Sequence, residues 1–271
     1  MPTALSLQST IRLSSGFYMP LLGFGVYQNY DAKPSVLEAF KAGYRHVDSA
    51  QVYRNEAAVG EAVRASGLNR EELFITTKCV SKHHGYESTL KGVDASLAKF
   101  GFDYIDLWLI HDPYAGTERR LATYKALLEC KAAGKIRSVG WDRGKHCEVS
   151  VESSLLIKSQ LHPLCQQKPI VEYCKANSIV VQAYCPIIRG KMENEVITKI
   201  ATRYNCDPAQ ILLRWSLQKG FVPLPKSATP SRIHSNAQLY DFELDKEDMA
   251  GLDGLDRGKA GGISWNPVDV P

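Results

Sequence analysis

Short apolar segments alternate with amphipathic helical segments along most of the 271-residue chain. The apolar segments are rich in Val, Ile, Leu and Phe, and several helical segments end in glycine, the residue that favours the left-handed backbone after a helix. This alternation is typical of parallel strands that are buried on both faces. Seven apolar segments are clear, and they span residues 21–25, 46–50, 74–78, 104–111, 136–140, 179–184 and 221–226.

The number of these units indicates the architecture. An eighth strand is required between Gly140 and Pro169, and residues 5–20 have the pattern of a hairpin that turns near Gly16. Eight βα units in a chain of this length predict an α/β protein, a (β/α)8 TIM barrel with an N-terminal β-hairpin and an irregular region around strand 6. The alternative is a doubly wound sheet with a second domain. Because no linker or change of composition divides the chain, we predict a single domain over residues 1–271.

The composition excludes several classes of protein. The chain has 33 Lys and Arg against 29 Asp and Glu, a net charge of +4, and no basic block that would predict a nucleic-acid partner. No apolar run approaches the ~18 residues of a membrane span, and the N-terminus lacks a signal-peptide pattern. The seven cysteines have no zinc-binding spacing, so we expect reduced thiols, no metal site and a cytoplasmic protein.

Polar side chains stand where three successive strands are expected to end, and these carboxyl ends form the active-site face of a barrel. They are Asp48, Lys78 and His111, and Tyr53 lies in the loop after Asp48. Singly, Asp48 has an ordinary structural explanation as a helix cap, Lys78 as a solvated strand end and His111 as a core histidine. Together they suit proton transfer to a carbonyl oxygen. The Lys78 ammonium would lower the pKa of Tyr53, Asp48 would hold that ammonium, and His111 would orient the substrate, which predicts reduction of aldehydes and ketones.

The same residues lie in motifs that resemble those of the aldo-keto reductase family. VDSAQVYRNE (47–56), ITTK ending at Lys78 and LIHDP with His111 are similar to the family signatures, and they occur in the family's order. The resemblance extends along nearly the whole chain. It implies that NADPH lies extended across the top of the barrel and that its hydride reduces a carbonyl group while Tyr53 delivers the proton.

A second motif, residues 224–236, resembles the family's cofactor signature. Cationic side chains beside a Ser/Thr-rich turn that opens a helix suit a phosphate dianion, which favours NADPH over NADH. The alternative is a basic helix start on the surface. The resemblance implies contacts with the adenosine 2′-phosphate and, for the last residue, with the adenine: Lys226, Ser227, Thr229, Arg232 and Asn236.

Further residues are expected to border the nicotinamide and the substrate. The resemblance implies that Tyr184 stacks on the nicotinamide, although packing at the barrel rim is the alternative. It also implies that Gly25, Val26 and Tyr27 line the pocket, with Tyr27 in reach of substrate. The short C-terminal tail predicts an open pocket, small aldehyde, dicarbonyl or keto-ester substrates, and a Trp265 that acts as a lid or anchors the tail.

One segment departs from the family pattern. Gly140 is followed by Trp141-Asp142-Arg143 in place of Val-Ser-Asn, and Ile157-Lys158-Ser159 replaces Asn-Gln-Ile, so the residues that hold the nicotinamide carboxamide in the family are changed. The stretch between them is shorter by roughly two helical turns. Three interpretations stay open: rearranged nicotinamide binding with an abbreviated helix, a substituted and locally disordered segment, or a new contact of Trp141 and Lys158 with substrate or cofactor. Trp141 would cap the pocket or pack in the core.

Two functions from different classes follow. The first is an NADP-dependent oxidoreductase that acts on small-molecule carbonyl substrates. The alternative is an NADPH-binding barrel of low activity that acts as a regulatory or sensor subunit, which the altered carboxamide site favours. The resemblance implies a monomer.

Overall fold

A parallel eight-stranded sheet forms the centre of the structure, a computed structural model that describes residues 5–142 and 156–266. Neighbouring strands of this sheet follow one another in chain order, and a separate antiparallel hairpin precedes them. The hairpin strands are β1 (Thr10–Arg12) and β2 (Tyr18–Pro20), and the sheet strands are β3 (Phe24–Gly25), β4 (His46–Asp48), β5 (Phe74–Cys79), β6 (Ile105–Ile110), β7 (Ile136–Asp142), β8 (Leu156–Gln160), β9 (Val180–Tyr184) and β10 (Val222–Pro223).

Backbone hydrogen bonds join the first strand of this sheet to the last. Gly23 N donates to Pro223 O at 3.1 Å, and Gly25 N donates to Pro225 O at 2.9 Å. The first and last strands of the sheet are therefore joined, and the sheet closes into a barrel. The predicted barrel and the predicted hairpin are both confirmed, and β8 is the eighth strand that the sequence required.

The irregular region lies between β7 and β8. These strands pair at two positions, Trp141 with Ile157 and Asp142 with Lys158, whereas β8 pairs with β9 at five. The pairing is thus short where the sequence departs from the family pattern. The abbreviated helix expected between these strands falls on residues 143–155, outside the described residues.

Helices connect the strands and pack around the sheet. The glycine stops predicted from the sequence are present: α3 ends at Phe100, and Gly101 follows with φ +70° and donates its N–H to Leu97 O at 2.8 Å. The helices are α1 (Ala32–Lys41), α2 (Glu56–Ala65), α3 (Tyr86–Phe100), α4 (Thr117–Ala132), α5 (Lys168–Ala176), α6 (Glu195–Tyr204), α7 (Pro208–Gln218), α8 (Pro230–Ser235) and α9 (Lys246–Asp253). Within the two described ranges, no helix has the length and apolarity needed to cross a membrane.

The core lies on both faces of the sheet, so every residue of β5 and β6 is buried. Trp108 and Ile110 pack outward against the helices. Leu107 and Leu109 point into the barrel, where Leu13 and Met19 of the hairpin region pack with them. The hairpin thereby fills the amino-terminal end of the barrel, and the open end is the one at which the strands finish.

Candidate active site

The four predicted catalytic side chains meet at the carboxyl ends of β4, β5 and β6. Lys78 Nζ donates to Asp48 Oδ1 at 2.8 Å and lies 3.4 Å from the hydroxyl oxygen of Tyr53. The rings of Tyr53 and His111 meet edge to face, with centroids 5.7 Å apart. All four residues are buried, at no more than 8% exposure. A cationic group and an imidazole therefore flank one phenol in a site largely shielded from water.

A side-chain amide fixes the loop that carries Tyr53. The tyrosine closes a short 3-10 turn after β4, Gln51–Tyr53, and Arg54 follows with a left-handed φ of +59°. Asn55 then accepts a hydrogen bond from Ser49 Oγ at 2.7 Å and donates to the carbonyls of Val26 and Asn29, both at 2.8 Å. The amide ties the loop to the segment after β3. Our sequence reasoning did not single out Asn55, although it lies within the VDSAQVYRNE motif.

Asp48 lies between two ammonium groups. Lys158 Nζ of β8 donates to Asp48 Oδ1 at 2.7 Å, the same oxygen that Lys78 contacts. Burial alone would raise the pKa of Asp48, but Lys158 and Lys78 outweigh it and hold the pKa of this carboxyl well below its usual range. Asp48 is therefore ionised at neutral pH.

Asp142 extends this arrangement on the other side of Lys158. Its Oδ2 lies 4.0 Å from Lys158 Nζ and 3.7 Å from His111 Nε2. Asp48, Lys78, Asp142 and Lys158, all buried, are called here the charge cluster. Lys158 is a residue for which the sequence left a new contact open, whereas the sequence pointed to no role for Asp142. Two features of the sequence could have indicated this pair: Lys158 lies inside an otherwise buried strand, and Asp142 lies just past the predicted end of β7 at Gly140.

Trp141 lies on the helix side of the sheet. Successive side chains of a strand point to opposite faces, so Trp141 points away from the charge cluster that Asp142 joins. Its indole stacks on Tyr124 of α4, with centroids 5.8 Å apart and planes 22° apart. This contact favours the packing role that the sequence left open for Trp141.

The residues after β3 border the site. Val26 is buried and donates its backbone N–H to Asp48 O at 3.1 Å, next to the hydrogen bond that joins Gly25 to Pro225. Tyr27 is 52% exposed, and its ring meets the Tyr53 ring edge to face at 5.1 Å. Tyr27 is thus placed between the buried phenol and solvent.

The C-terminal tail crosses the mouth of the barrel. Tyr184, at the end of β9, donates its hydroxyl to Trp265 O at 2.9 Å, and Ser264 Oγ donates to Gln160 Oε1 at 3.1 Å. The Trp265 indole stacks on Tyr114, which follows β6, and donates its Nε1–H to the Tyr114 hydroxyl at 2.6 Å. Trp265 therefore anchors the tail beside the site.

The predicted phosphate-binding residues form a polar surface next to β10. Ser227 and Asn236 are buried, and the other three side chains are exposed. Within residues 5–142 and 156–266, neither Lys226 nor Arg232 takes part in an ion pair. Two unpaired cations beside the hydroxyls of Ser227 and Thr229 are a donor set that fits a phosphate dianion.

Comparison with known proteins identifies the family. The model of the Aldo/keto reductase family matches residues 21–257. The chain belongs to the aldo/keto reductase family. It is 40% identical over 280 residues to the glyoxal reductase of Bacillus subtilis, across 100% of this chain and 99% of that protein.

Two solved structures of the family have the same fold. An aldo-keto reductase from a Medee basin deep-sea metagenome library is 34% identical, with a TM-score of 0.91 over 97% of this chain and 100% of that one. The Bombyx mori aldo-keto reductase, solved in complex with NADP, is 29% identical, with a TM-score of 0.85 over 94% of each chain. The predicted family and the predicted barrel are confirmed.

Proposed function

We propose that this aldo/keto reductase reduces small aldehydes and ketones to alcohols with NADPH. The observation that carries the proposal is the Tyr53 hydroxyl, 3.4 Å from the ammonium of Lys78, which is paired with the buried Asp48 carboxylate at 2.8 Å. An ammonium beside a phenol favours the phenolate and brings its pKa toward neutral pH, which a proton donor needs.

The roles of the four residues follow from their chemistry. When bound, NADPH supplies the hydride that adds to the carbonyl carbon. Tyr53 donates its hydroxyl proton to the carbonyl oxygen, and Lys78 stabilises the phenolate that remains. Asp48 keeps Lys78 charged and in place. His111, whose ring faces Tyr53, donates a hydrogen bond that orients the carbonyl.

We propose that the cofactor is held at two places. At the adenosine end, Lys226 and Arg232 pair with the 2′-phosphate, Ser227 and Thr229 hydrogen-bond it, and Asn236 contacts the adenine. At the nicotinamide end, Tyr184 stacks on the ring, and Gly25 and Val26 line the pocket. The exposed and unpaired cations of the first group support the preference for NADPH over NADH.

For the substrate, we propose small aldehydes and dicarbonyls. The glyoxal reductase of Bacillus subtilis acts on such a compound by its name, and it aligns with the whole chain. Tyr27 is half-exposed and packs against the buried phenol, and the half-exposed Trp265 lies in the tail that crosses the barrel mouth. We propose that a small carbonyl compound reaches Tyr53 past these aromatics. Trp141 as a substrate contact stays a prediction, with its stacking on Tyr124 against it.

The alternative is an NADPH-binding sensor with little activity. Lys158 favours it, because a lysine stands where the family has a glutamine for the nicotinamide carboxamide, and an ammonium donates hydrogen bonds but accepts none. A sensor would bind NADPH equally well with or without Tyr53.

We also propose a monomer of one domain, residues 1–271, that works in the cytoplasm. Among the described residues, no two cysteines are joined in a disulfide, which supports a reducing compartment.

The test is fluorescence titration with NADPH, followed by NADPH oxidation with a panel of aldehydes and dicarbonyls. We expect Tyr53→Phe to retain NADPH affinity and to lose about a thousandfold in kcat, because the proton donor is gone. Tyr86→Phe is the matched control, since Tyr86 donates its hydroxyl to Glu129 on the helical surface. NADPH binding without turnover in the wild type would favour the sensor, and absence of binding would contradict both functions.

A further inference from the structure

We propose that Lys158 is a positioning residue of the proton-transfer site: it shares the Asp48 carboxylate with Lys78 and so sets how strongly the Lys78 ammonium acts on Tyr53. The proposal rests on the proposed role of Tyr53 as the proton donor. The observation behind it is that both ammonium groups contact one oxygen, Asp48 Oδ1, at 2.7 Å from Lys158 and 2.8 Å from Lys78.

The charge balance explains the effect. One carboxylate can neutralise one ammonium, so an Asp48–Lys78 pair alone would present almost no net charge to Tyr53. With Lys158 on the same oxygen, the three groups carry a net charge of about +1. Asp142, whose carboxylate oxygen lies 4.0 Å from Lys158 Nζ, offsets part of this positive charge. Lys158 therefore increases the positive charge that acts on the Tyr53 phenol and lowers the pKa of Tyr53, and Asp142 reduces this lowering.

The burial of Lys158 makes this charge a fixed part of the site. Its side chain is 4% exposed, and Asp48 and Asp142 are its two carboxylate neighbours in the described ranges. Inside a protein, opposite charges in contact interact far more strongly than they do in water. A lysine that merely filled the barrel would have no reason to sit between two buried carboxylates.

Two other polar side chains near the charge cluster, His46 and Gln182, carry no charge at working pH. His46, on the same strand as Asp48, has its pKa lowered to about 4, mainly by burial, so it is neutral at working pH. Gln182 is the neutral neighbour of Lys158 in the β8–β9 register. Among the described residues, the titratable or charged side chains that face Tyr53, Asp48 or Lys158 are Tyr27 after β3, His46 and Asp48 of β4, Lys78 of β5, His111 after β6 and Asp142 of β7.

The chemistry of the side chain separates this role from cofactor binding. A glutamine amide both donates and accepts hydrogen bonds, as pairing with a carboxamide requires, whereas an ammonium only donates. The hydrogen bond from Lys158 Nζ to Asp48 also directs this group toward the proton-transfer residues. Lys158 therefore does not reproduce the hydrogen bonding of the family glutamine. In place of the nicotinamide carboxamide, the side chain at this position binds the Asp48 carboxylate.

The decisive experiment titrates Tyr53 in the cofactor-free protein. Tyrosinate absorbance is recorded against pH for each variant and for the same variant carrying Tyr53→Phe, and the difference isolates Tyr53. We expect Lys158→Met to move the Tyr53 transition up by about one pH unit and Asp142→Asn to move it down. Lys158→Arg, which keeps the charge, should restore a transition close to that of the wild type.

A matched control removes a cation from the other end of the barrel. Arg70 pairs with the buried Asp106 at 2.6 Å, so Arg70→Met also leaves a buried carboxylate with one partner fewer. It should leave the Tyr53 transition in place, because the groups that it disturbs lie at the amino-terminal end of the strands. In the same variants, the basic limb of kcat against pH should move with the Tyr53 transition.

The outcomes are distinguishable from failure of the proposed function. An unchanged Tyr53 transition in both Lys158→Met and Asp142→Asn overturns the proposal, whatever the activity. If Lys158→Met does not fold, the Tyr53 transitions of Asp142→Asn and Lys158→Arg test the proposal: the first should move down, and the second should stay close to that of the wild type. Opposite shifts in a protein that turns over no substrate would support the charge-sharing role and count against the reductase, since the titration needs neither cofactor nor substrate.

Discussion

Each end of the barrel holds one buried aspartate between two cationic side chains. At the open end, Asp48 lies between Lys78 and Lys158. At the hairpin end, Asp106 contacts Arg70 at 2.6 Å through one oxygen and Arg137 at 3.1 Å through the other. In each site one carboxylate contacts two cations, and Asp142 is a further acid at the open end, yet the pKa of Asp48 lies well below its usual range and that of Asp106 is raised.

The surroundings of the cations account for the difference. Burial raises the pKa of Asp106 more than its two arginines and the N–H of Ile75 lower it. The arginines are 19% and 27% exposed, and both guanidinium groups lie over the Tyr104 ring, so their charge is shared with water and an aromatic face. The lysines of the charge cluster are 0% and 4% exposed and act as point charges on one oxygen. The lowered pKa of Asp48 thus accompanies two buried lysines on one oxygen, whereas the raised pKa of Asp106 accompanies two partly exposed arginines on different oxygens.

The largest expected difference between the two ends is in activity. Lys78→Met should lower kcat/KM for carbonyl reduction by about a thousandfold, because Tyr53 loses the charge that stabilises its phenolate. Arg70→Met should change it by less than about threefold, since Arg70 lies at the far end of the barrel. NADPH oxidation at pH 7 measures both. Comparable losses of kcat/KM in the two variants would contradict the assignment of catalysis to the open end of the barrel.

The second expected difference is in stability. Asp48→Asn should lower the free energy of unfolding by about 3 kcal/mol at pH 7, because it removes the carboxylate that pairs with the buried Lys78 and leaves Lys158 with Asp142 alone. The folded pKa of Asp48 lies below the unfolded value of about 3.9, so its contribution is present above pH 4 and is lost as the pH falls further. The difference from wild type should therefore shrink below pH 4.

Asp106→Asn should have the opposite pH dependence. Because the folded pKa of Asp106 is raised, its contribution is present at low pH and is lost as the pH rises through that value. The difference in unfolding free energy between wild type and Asp106→Asn should grow as the solution is acidified. Urea unfolding of the three proteins from pH 7 to pH 3 measures both slopes, and parallel slopes would contradict the assigned pKa directions.

The smallest expected effect concerns cations that are exposed rather than buried. Lys226→Ala combined with Arg232→Ala should weaken NADPH binding by about 2 kcal/mol, roughly 30-fold, and leave NADH binding nearly unchanged. The surface change Lys91→Ala on α3 is the control. Fluorescence titration with each cofactor gives the two affinities, and equal losses for both would contradict the 2′-phosphate assignment.

Much of the fold follows from local signals in the sequence. The seven apolar segments became strands because their Val, Ile and Leu residues suit a sheet buried on both faces, and the glycine after α3 ended that helix as predicted. Asp48, Lys78 and His111 also follow from local position, since each stands at a strand end. The meeting of these three with Tyr53 required only the parallel order of neighbouring strands.

The charge cluster could not be predicted in the same way. Lys158 and Asp48 are 110 positions apart, and β4 and β8 are not neighbours in the sheet. Their contact across the barrel depends on strand register and closure. Asp142 joins them because β7 continues two residues past the predicted end at Gly140, which an apolar pattern could not indicate. The helix α6 was also missed, although the Asn194 side chain, which accepts a hydrogen bond from Val196 N, is a helix-start signal that the sequence shows.

The closure of the barrel links ligand binding to folding. Gly25, beside the proposed proton-transfer residues, is joined to Pro225, which directly precedes the predicted phosphate ligand Lys226, and Gly25 and Pro225 are 200 positions apart. Proteins rich in contacts of large sequence separation fold slowly. A dinucleotide that contacts both the Gly25 side and the Lys226 side of this junction binds only the closed barrel. Its concentration therefore influences the folded population: at a hundred times its Kd, it raises the free energy of unfolding by about 2.7 kcal/mol.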